Sequence, residues 1–222
     1  MFKSNDVVLF QGDSITDASR RRGRKGPNDP AALGHGYVLH VAAELLERHA
    51  GLGPSIYNRG ISGDKVYQLA DRWPKDCLKI QPDVLSLLVG VNDYCHGHFH
   101  GYGGTVASYA HDYDTLLART RAELTDVKLI LGEPFLLEAG DITAALVEGI
   151  GAYRDTARKI AEKHRAVWVP YQQVFNEALK QAPADYWAPD GVHPTVAGHM
   201  LMAKAWLRAT GVSTDGQDVQ DG

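Results

Sequence analysis

The chain has 222 residues, 44% of them hydrophobic and 23% charged, with a formal net charge of −4. This length and composition are typical of one soluble globular domain with a packed core, and no apolar run is long enough to cross a membrane. The acidic balance argues against a general nucleic-acid or anionic-membrane binder, because either would need a basic face. We therefore expect a small-molecule partner, no nucleic acid and no membrane.

The start of the chain gives no sign of a targeting segment. Residues 1–6 lead directly into an apolar run and lack the basic, apolar and small-residue regions of a secretory signal, so we expect a cytoplasmic protein. Cys77 and Cys95 are the only cysteines. Two cysteines do not suggest a disulfide framework, and we expect free thiols.

Five short apolar runs predict β-strands, at 7–10, 55–58, 84–89, 127–131 and 166–169. Strands of this kind are typical of a parallel sheet whose two faces are both covered by helices. The runs alternate with helical patterns, and such alternation with right-handed crossovers predicts an α/β protein. We expect a five-stranded parallel sheet between two helical layers, in one domain over 1–210 with a polar C-terminal tail over 211–222.

Helical spacing of apolar residues predicts what connects the strands. Helices are expected from Tyr37 onward, around Val66, and over three further segments at about 108–124, 142–164 and 174–181. The last helix carries four apolar residues at helical spacing, which are Val196, Met200, Ala203 and Leu207.

A long segment over 18–36, rich in Gly, Pro and Arg, is too irregular for a helix or a strand and is predicted to be a loop. It carries the basic cluster between Arg20 and Lys25. We interpret the cluster as a solvated or subunit-contacting loop, with anion binding as the alternative. The length of this loop also leaves a homo-oligomer as a prediction.

Polar turns follow the first three predicted strands, and a fourth polar segment precedes the last helix. The turns contain Ser14, Gly60 and Asn92, and the fourth segment contains Asp190 and His193. Each has an ordinary explanation as a turn or a helix cap. Because the carboxyl ends of parallel strands meet at one edge of a sheet, we expect these residues to converge there.

Together these residues can perform acyl transfer. Ser14 is the candidate nucleophile, His193 the base that removes its proton, and Asp190 the carboxylate that holds the imidazole in the useful tautomer. The negative charge that develops on the carbonyl oxygen needs aimed donors. The backbone N–H groups of Ser14 and Gly60 and the side-chain amide of Asn92 are the candidates.

These segments stand in the order and approximate spacing of a known superfamily. They are Gly12-Asp13-Ser14-Ile15-Thr16, Gly60, Gly90-Val91-Asn92-Asp93 and Asp190-Gly191-Val192-His193. Over roughly 7–210 the chain resembles the SGNH, or GDSL-type, esterases and lipases. The resemblance implies a flavodoxin-like α/β/α sandwich, a Ser14–His193–Asp190 triad, and an oxyanion hole from Ser14, Gly60 and Asn92. We predict no cofactor.

The segments 34–37, 58–64 and 187–194 are similar to the carbohydrate-esterase branch, and to acetylxylan esterases in particular. No amphipathic lid indicates a long acyl chain. We therefore predict a serine esterase that removes acetyl groups from xylo-oligosaccharides or related sugars through a covalent acyl-enzyme. A lysophospholipase or thioesterase of the same superfamily and a non-catalytic carbohydrate-binding protein are the alternatives.

Aromatic residues and histidines surround the predicted site. Trp187 is predicted to line it, because aromatic faces stack on sugar rings, although tryptophan is also an ordinary rim residue. The segment 95–100 has a metal-like density of cysteine and histidine but lacks a second matching cluster, so we predict a loop beside the site and no metal. The remaining histidines, His35 and His199 among them, are predicted to be surface or packing residues.

Overall fold

The computed structural model describes residues 2–212, and its centre is a parallel sheet of five strands. The strands are β1 Val7–Gly12, β2 Ser55–Asn58, β3 Val84–Leu88, β4 Lys128–Gly132 and β5 Val167–Val169. All five predicted strands are confirmed, with ends that shift by up to two residues. The predicted polar tail lies, apart from its first two residues, outside the described residues.

The sheet order is β2-β1-β3-β4-β5, so β1 lies between β2 and β3. Leu9 of β1 pairs with Tyr57 on one side and with Leu85 on the other. The chain order reverses at β1, and in open α/β sheets ligands bind at such a switch point, outside the carboxyl ends of the strands. Ser14 follows β1 and Asn92 follows β3, so both residues stand at that point.

Helices cover both faces of the sheet. Their bounds are α1 Ser14–Asp17, α2 Pro30–Leu33, α3 Tyr37–Arg48, α4 Val66–Trp73, α5 Val91–Phe99, α6 Val106–Glu123, α7 Ala144–Gly149, α8 Gly151–Lys163, α9 Tyr171–Ala178, α10 Ala184–Trp187 and α11 Val196–Ala209. On one face α11 packs against α3 and α9, and on the other α6 packs against α4 and α8. This is the predicted three-layer α/β/α architecture.

Buried tryptophan side chains join one helix to the sheet and another helix to its neighbour in the same layer. The indole of Trp206 in α11 is fully buried, and its N–H donates to Ser86 Oγ of β3 at 2.9 Å. The buried indole of Trp73 in α4 donates to Thr120 Oγ1 of α6 at 2.9 Å. A buried indole N–H without a partner would be costly, so these bonds fix the position of each helix.

Three predicted segments differ from the structure. The segment 142–164 divides at Ile150 into α7 and α8. The segment 18–36 contains α2, because Asp29 caps it through the N–H of Ala31 and Pro30 stands in its first turn. The histidine-rich segment after Asn92 belongs to helix α5 and is not a loop, although it contains Gly97.

Of the four apolar residues predicted for the last helix, Ala203 and Leu207 are buried and the other two are exposed. Val196 is 75% exposed and Met200 is 39% exposed, whereas Met202 and Trp206 are buried beside Ala203. The reason is that α11 packs on α3, α9 and β5, and this contact surface selects residues near the second half of the helix. Val196 is therefore free to line the functional cleft described below.

Neither cysteine forms a disulfide. Cys77 and Cys95 are both free and buried, in agreement with the prediction of free thiols. Within residues 2–212, no helix is both long and apolar enough to cross a membrane.

Candidate active site

The turn after β1 presents Ser14 alone to solvent. Gly12 permits the turn, because a Cβ there would stand 2.3 Å from the carbonyl oxygen of Leu88. Asp13 is fully buried, and its Oδ1 accepts the N–H of Ile15 at 3.0 Å as the cap of α1. Ser14 is half-buried between these enclosed neighbours, so its hydroxyl is at the edge of the sheet.

His193 and Asp190 lie beside this hydroxyl. Ser14 Oγ is 2.8 Å from Nε2 of His193, and Nδ1 of the same ring is 2.6 Å from Oδ2 of Asp190. The two sequence-distant segments therefore meet in one continuous line of hydrogen bonds. In this arrangement Asp190 accepts the ring proton at Nδ1, which leaves Nε2 free to accept the serine proton.

A tight turn holds Asp190 in place. Its Oδ1 accepts the backbone N–H of Val192 at 2.9 Å and of His193 at 2.7 Å. Burial acts to raise the pKa of Asp190, but the hydrogen bonds from His193 and Val192 outweigh it, so the pKa lies below its ordinary value. Asp190 is consequently ionised at neutral pH.

Two of the three predicted oxyanion donors are available. The backbone N–H of Ser14 makes no hydrogen bond within residues 2–212. The side-chain amide of Asn92, at the start of α5, donates to the carbonyl oxygen of Asp64 at 3.1 Å. That bond uses one of the two amide hydrogens and orients the other.

The third predicted donor is already engaged. The N–H of Gly60 donates to Oδ1 of Asn58 at 2.9 Å, and Gly60 is buried so tightly that a Cβ would lie 2.5 Å from the nitrogen of Asp17. Gly63, three residues later, is half-exposed at φ 87°, and its N–H has no protein partner in the described part of the chain. The structure thus contradicts the assumed availability of the Gly60 N–H and offers that of Gly63.

A cleft of about 800 Å³ opens beside Ser14 and His193. Its other walls come from the first part of the 18–36 segment, from Ser62 and from the start of α11, where exposed Val196 and buried His199 contribute. The cleft is larger than an acetyl group requires and is within the size range of small-molecule sites.

Residues 10–201 match the model of the GDSL-like lipase/acylhydrolase family. This match covers most of the chain. The chain belongs to the GDSL-like lipase/acylhydrolase family. Members of this family are carboxylic ester hydrolases, which agrees with the serine, histidine and aspartate found at the edge of the sheet.

Individual relatives of this GDSL-family chain are enzymes of the same fold. An acetylxylan esterase from Geobacillus stearothermophilus is 35% identical over 210 residues, which are 94% of this chain and 95% of that one. A structure from Parabacteroides merdae, described as a GDSL-like lipase, is 48% identical, with a TM-score of 0.94 and coverage of 96% and 99%. The crystal structure of the Geobacillus acetylxylan esterase Axe2 is 34% identical, with a TM-score of 0.86 and coverage of 96% and 99%.

Two further structures of Axe2 are of catalytic mutants, in which one serine or one aspartate is replaced by alanine. In that relative the mutated serine and the mutated aspartate are separated by as many positions as Ser14 and Asp190 are in this chain.

Trp187 does not line the cleft. It is 8% exposed, its indole N–H donates to the carbonyl oxygen of Ala182 at 3.1 Å, and its ring packs in the hydrophobic core. The prediction for Trp187 is therefore wrong. The neighbouring Tyr186, at 55% exposure, is the aromatic residue of this segment that faces solvent. The sequence could not separate the two, because α10 is a single turn with no repeating pattern.

The basic cluster is exposed to solvent at Arg21, Arg22, Arg24 and Lys25, as the solvated interpretation expected, but not at Arg20. Arg20 is buried and its Nε donates to the carbonyl oxygen of Gly60 at 2.8 Å, and burial lowers its pKa to about 10. Arg22 pairs with the buried carboxylate of Asp17, and Arg24 pairs with the capping aspartate of α2. The solvated interpretation therefore fails for Arg20, which instead holds the Gly60 turn against the turn of Ser14.

The histidine-rich segment places two rings together. His96 of α5 and His100, which caps the end of that helix, are one helical turn apart, with ring centroids 4.8 Å apart. Among residues 2–212, no group of three or more Cys, His, Asp or Glu side chains is placed to hold a metal ion.

Two buried carboxyls lie behind the site. Asp13 and Asp93 each bind one backbone N–H through Oδ1, from Ile15 and Val66 respectively, and each has an Oδ2 with no partner within residues 2–212. Burial raises the pKa of each to about 7. Burial therefore favours the protonated form of both carboxyls, in contrast to Asp190.

Proposed function

We propose that this protein is a serine esterase that removes acetyl groups from sugars, with acetylated xylo-oligosaccharides as the substrate class. The observation that carries the proposal is the line of hydrogen bonds from Asp190 through His193 to Ser14 Oγ, at the edge of a cleft. Acetylxylan esterases among the relatives support the choice of acyl group and sugar.

In the proposed reaction Ser14 Oγ attacks the ester carbonyl carbon while His193 Nε2 takes the hydroxyl proton. The ionised Asp190 stabilises the imidazolium that forms, through its bond to Nδ1. The tetrahedral intermediate collapses with breakage of the ester bond, and His193 returns the proton to the departing sugar oxygen. A water molecule then attacks the acetyl-serine by the same route, releasing acetate and restoring Ser14.

The oxyanion of each tetrahedral intermediate needs donors that are already in place. We propose the N–H groups of Ser14 and Gly63 and the second amide hydrogen of Asn92. Each such donor typically contributes about 10²- to 10³-fold in rate. Gly63 replaces the expected Gly60 in this role, because the Gly60 N–H is bound to Asn58.

The assignment of Ser14 and Asp190 has independent support from Axe2. Its two catalytic mutants change a serine and an aspartate at the same separation as these residues. The cytoplasmic location, the absence of a cofactor and a homo-oligomeric state stay predictions from the sequence.

The test is acetate release from acetylated xylo-oligosaccharides, together with hydrolysis of p-nitrophenyl acetate and longer p-nitrophenyl esters. We expect turnover of the acetyl esters, a steep decline with acyl length, and a loss of at least about 10⁴-fold in kcat for Ser14→Ala. The matched control is Ser4→Ala, at an exposed serine outside the site.

The alternatives give different results. Preference for a lysolipid or an acyl-thioester over every acetylated sugar would identify a lysophospholipase or thioesterase. No turnover, together with no covalent labelling of Ser14 by an organophosphate, would identify a carbohydrate-binding protein that retains the fold. Wild-type rates in Ser14→Ala would refute the nucleophile.

A further inference from the structure

The cleft contains a second histidine besides His193. His199, on α11, is 8% exposed, and its ring forms part of the cleft wall together with Ser14 and His193. From the sequence, His199 is predicted to be a surface or packing residue. A residue in this wall can contact a substrate bound in the cleft.

The ring is held by backbone contacts from the start of α3. The N–H of Tyr37 donates to Nδ1 of His199 at 3.1 Å, and the two rings stack with centroids 6.5 Å apart and an interplanar angle of 17°. Gly36 permits this close approach, because a Cβ there would stand 2.8 Å from Cε1 of the imidazole. The orientation of the ring is therefore fixed before any substrate arrives.

This hydrogen bond determines the tautomer. A backbone N–H can only donate, so Nδ1 of His199 carries a lone pair, and the proton of the neutral ring is on Nε2. Burial, followed by repulsion from His40 and His193, lowers the pKa of His199 to about 4. The N-terminal end of α3, which carries partial positive charge, also disfavours an imidazolium there.

In the cleft the ring can therefore act only as a hydrogen-bond donor. Its Nδ1 is occupied, so His199 cannot act as a base through that atom, and its Nε2–H has no protein partner within residues 2–212. Because the ring stays neutral, it does not oppose the positive charge that His193 acquires during the reaction. A rigid neutral donor in a cleft wall suits an uncharged acceptor, such as a hydroxyl or ring oxygen.

We propose that His199 donates a hydrogen bond from Nε2–H to the sugar part of the substrate and is a specificity-determining residue of this enzyme. The inference rests on the proposed function, since it names the binding partner of the alcohol part of the ester. The acetyl group offers only a methyl group and a carbonyl oxygen, and the carbonyl oxygen is directed to the oxyanion donors. Sugar oxygens are the acceptors that remain for His199.

Two substitutions separate this role from a structural one. His199→Asn retains an acceptor near Nδ1 for the Tyr37 N–H but loses the donor at Nε2. His199→Gln retains a donor near Nε2 and weakens the contact with Tyr37. A purely structural histidine would tolerate asparagine better than glutamine, whereas a sugar-binding donor predicts the reverse order.

The experiment compares kcat and KM for acetylated xylobiose and for p-nitrophenyl acetate, whose leaving group has no sugar oxygens. For His199→Asn we expect KM for acetylated xylobiose to rise about tenfold, and the ratio of the two kcat/KM values, sugar ester over p-nitrophenyl ester, to fall about tenfold. For His199→Gln the ratio should stay within about threefold of the wild type. His111→Asn, at an exposed histidine of α6, is the matched control and should change neither substrate.

Equal losses on both substrates in His199→Asn, or a greater loss in His199→Gln, would overturn the inference while leaving the proposed function in place. A wild type that hydrolyses p-nitrophenyl acetate but no acetylated sugar would overturn the sugar assignment and this donor with it. Full activity of Ser14→Ala would instead refute the catalytic mechanism. That conclusion would hold whatever the ratio of kcat/KM values in His199→Asn.

Discussion

The protein contains two histidine–aspartate pairs with similar contact distances and different surroundings. In the cleft, His193 Nδ1 is 2.6 Å from Asp190, and the other ring nitrogen faces the hydroxyl of Ser14. On the outer face of the helical layer, His164 Nε2 is 2.8 Å from Asp114, and the same carboxylate also accepts from a neighbouring lysine. Within residues 2–212, only the first pair contacts a serine hydroxyl, that of the proposed nucleophile.

Under the proposed mechanism, a histidine–carboxylate pair is therefore not in itself a catalytic unit. The hydrogen bond from Lys163, and then the one from His164, hold the pKa of Asp114 below its ordinary value, so that carboxylate is ionised as Asp190 is. The pairs also differ in local structure. Asp190 and His193 belong to one turn, whereas Asp114 and His164 come from α6 and the end of α8. What distinguishes the site is the serine hydroxyl and the cleft.

The largest expected effect on activity comes from replacing each of the two histidines separately by glutamine. His193→Gln should lower kcat for p-nitrophenyl acetate by about 10⁴-fold or more, because no group remains to take the serine proton. His164→Gln should stay within about twofold of the wild type. Steady-state kinetics, with thermal unfolding to confirm that each variant is folded, make the comparison. Equal losses in both variants would show that His193 has no special role.

Replacing the two aspartates should give the same contrast in kcat, with a smaller loss. Asp190→Asn should lower kcat by about 10³- to 10⁴-fold, because an amide no longer fixes the imidazole tautomer or stabilises its charge. Asp114→Asn should leave kcat unchanged and lower the free energy of unfolding by less than about 1 kcal/mol, as expected for a half-exposed ion pair. Kinetics and urea unfolding of both variants measure these effects. A loss of activity in Asp114→Asn would contradict the comparison.

The proposed oxyanion donors are a third difference, because the His164–Asp114 pair needs no such donors. Asn92→Ala should lower kcat by about 10²- to 10³-fold with little change in KM, because the amide acts on the charge that develops only in the transition state. Asn176→Ala, at an exposed asparagine of α9, is the control and should have no effect. A rise in KM without a change in kcat would assign Asn92 to substrate binding instead.

These parts of the molecule also differ in how far the sequence predicts them. The strands could be predicted because each is a short apolar run bounded by turn residues. The serine turn and Asn92 could be identified as polar residues at strand ends, and the Asp190–His193 segment as a polar segment before the last helix. The parallel topology then placed them at one edge. Local patterns and one topological rule were sufficient for this much.

The remaining features depend on contacts between distant segments. Gly60 and Gly63 share one turn, and only the bond from Gly60 to Asn58 shows which N–H is free. Trp187 is buried by packing that no pattern in a single-turn helix reveals. The tautomer of His199 follows from the N–H of Tyr37, which is 162 positions away. Pairings of this kind are set by tertiary structure, so a sequence pattern carries no signal for them.

A final contrast separates the carboxylates by environment rather than by partner. Asp190 is ionised by its hydrogen bonds, whereas burial raises the pKa of Asp13 to about 7 from an ordinary value of 3.8. A carboxyl whose pKa is raised on folding stabilises the protein fully below the unfolded value, and this stabilisation is lost as the pH rises through the folded value. The contribution of Asp13 to the free energy of unfolding should therefore decrease as the pH rises from about 4 to about 7.

Asp13→Asn should remove that loss, because asparagine can still accept the N–H of Ile15 without carrying a charge. We expect the free energy of unfolding of the variant, relative to the wild type, to increase by about 1 kcal/mol or more between pH 5 and pH 8, since one pKa unit corresponds to about 1.4 kcal/mol. Urea unfolding at each pH measures the difference, and Asp126→Asn, at an exposed aspartate, controls for the change in net charge. If the difference between Asp13→Asn and the wild type were the same at both pH values, the carboxyl of Asp13 would have to be ionised in its buried position, and its unpartnered Oδ2 would then need a compensating charge behind Ser14.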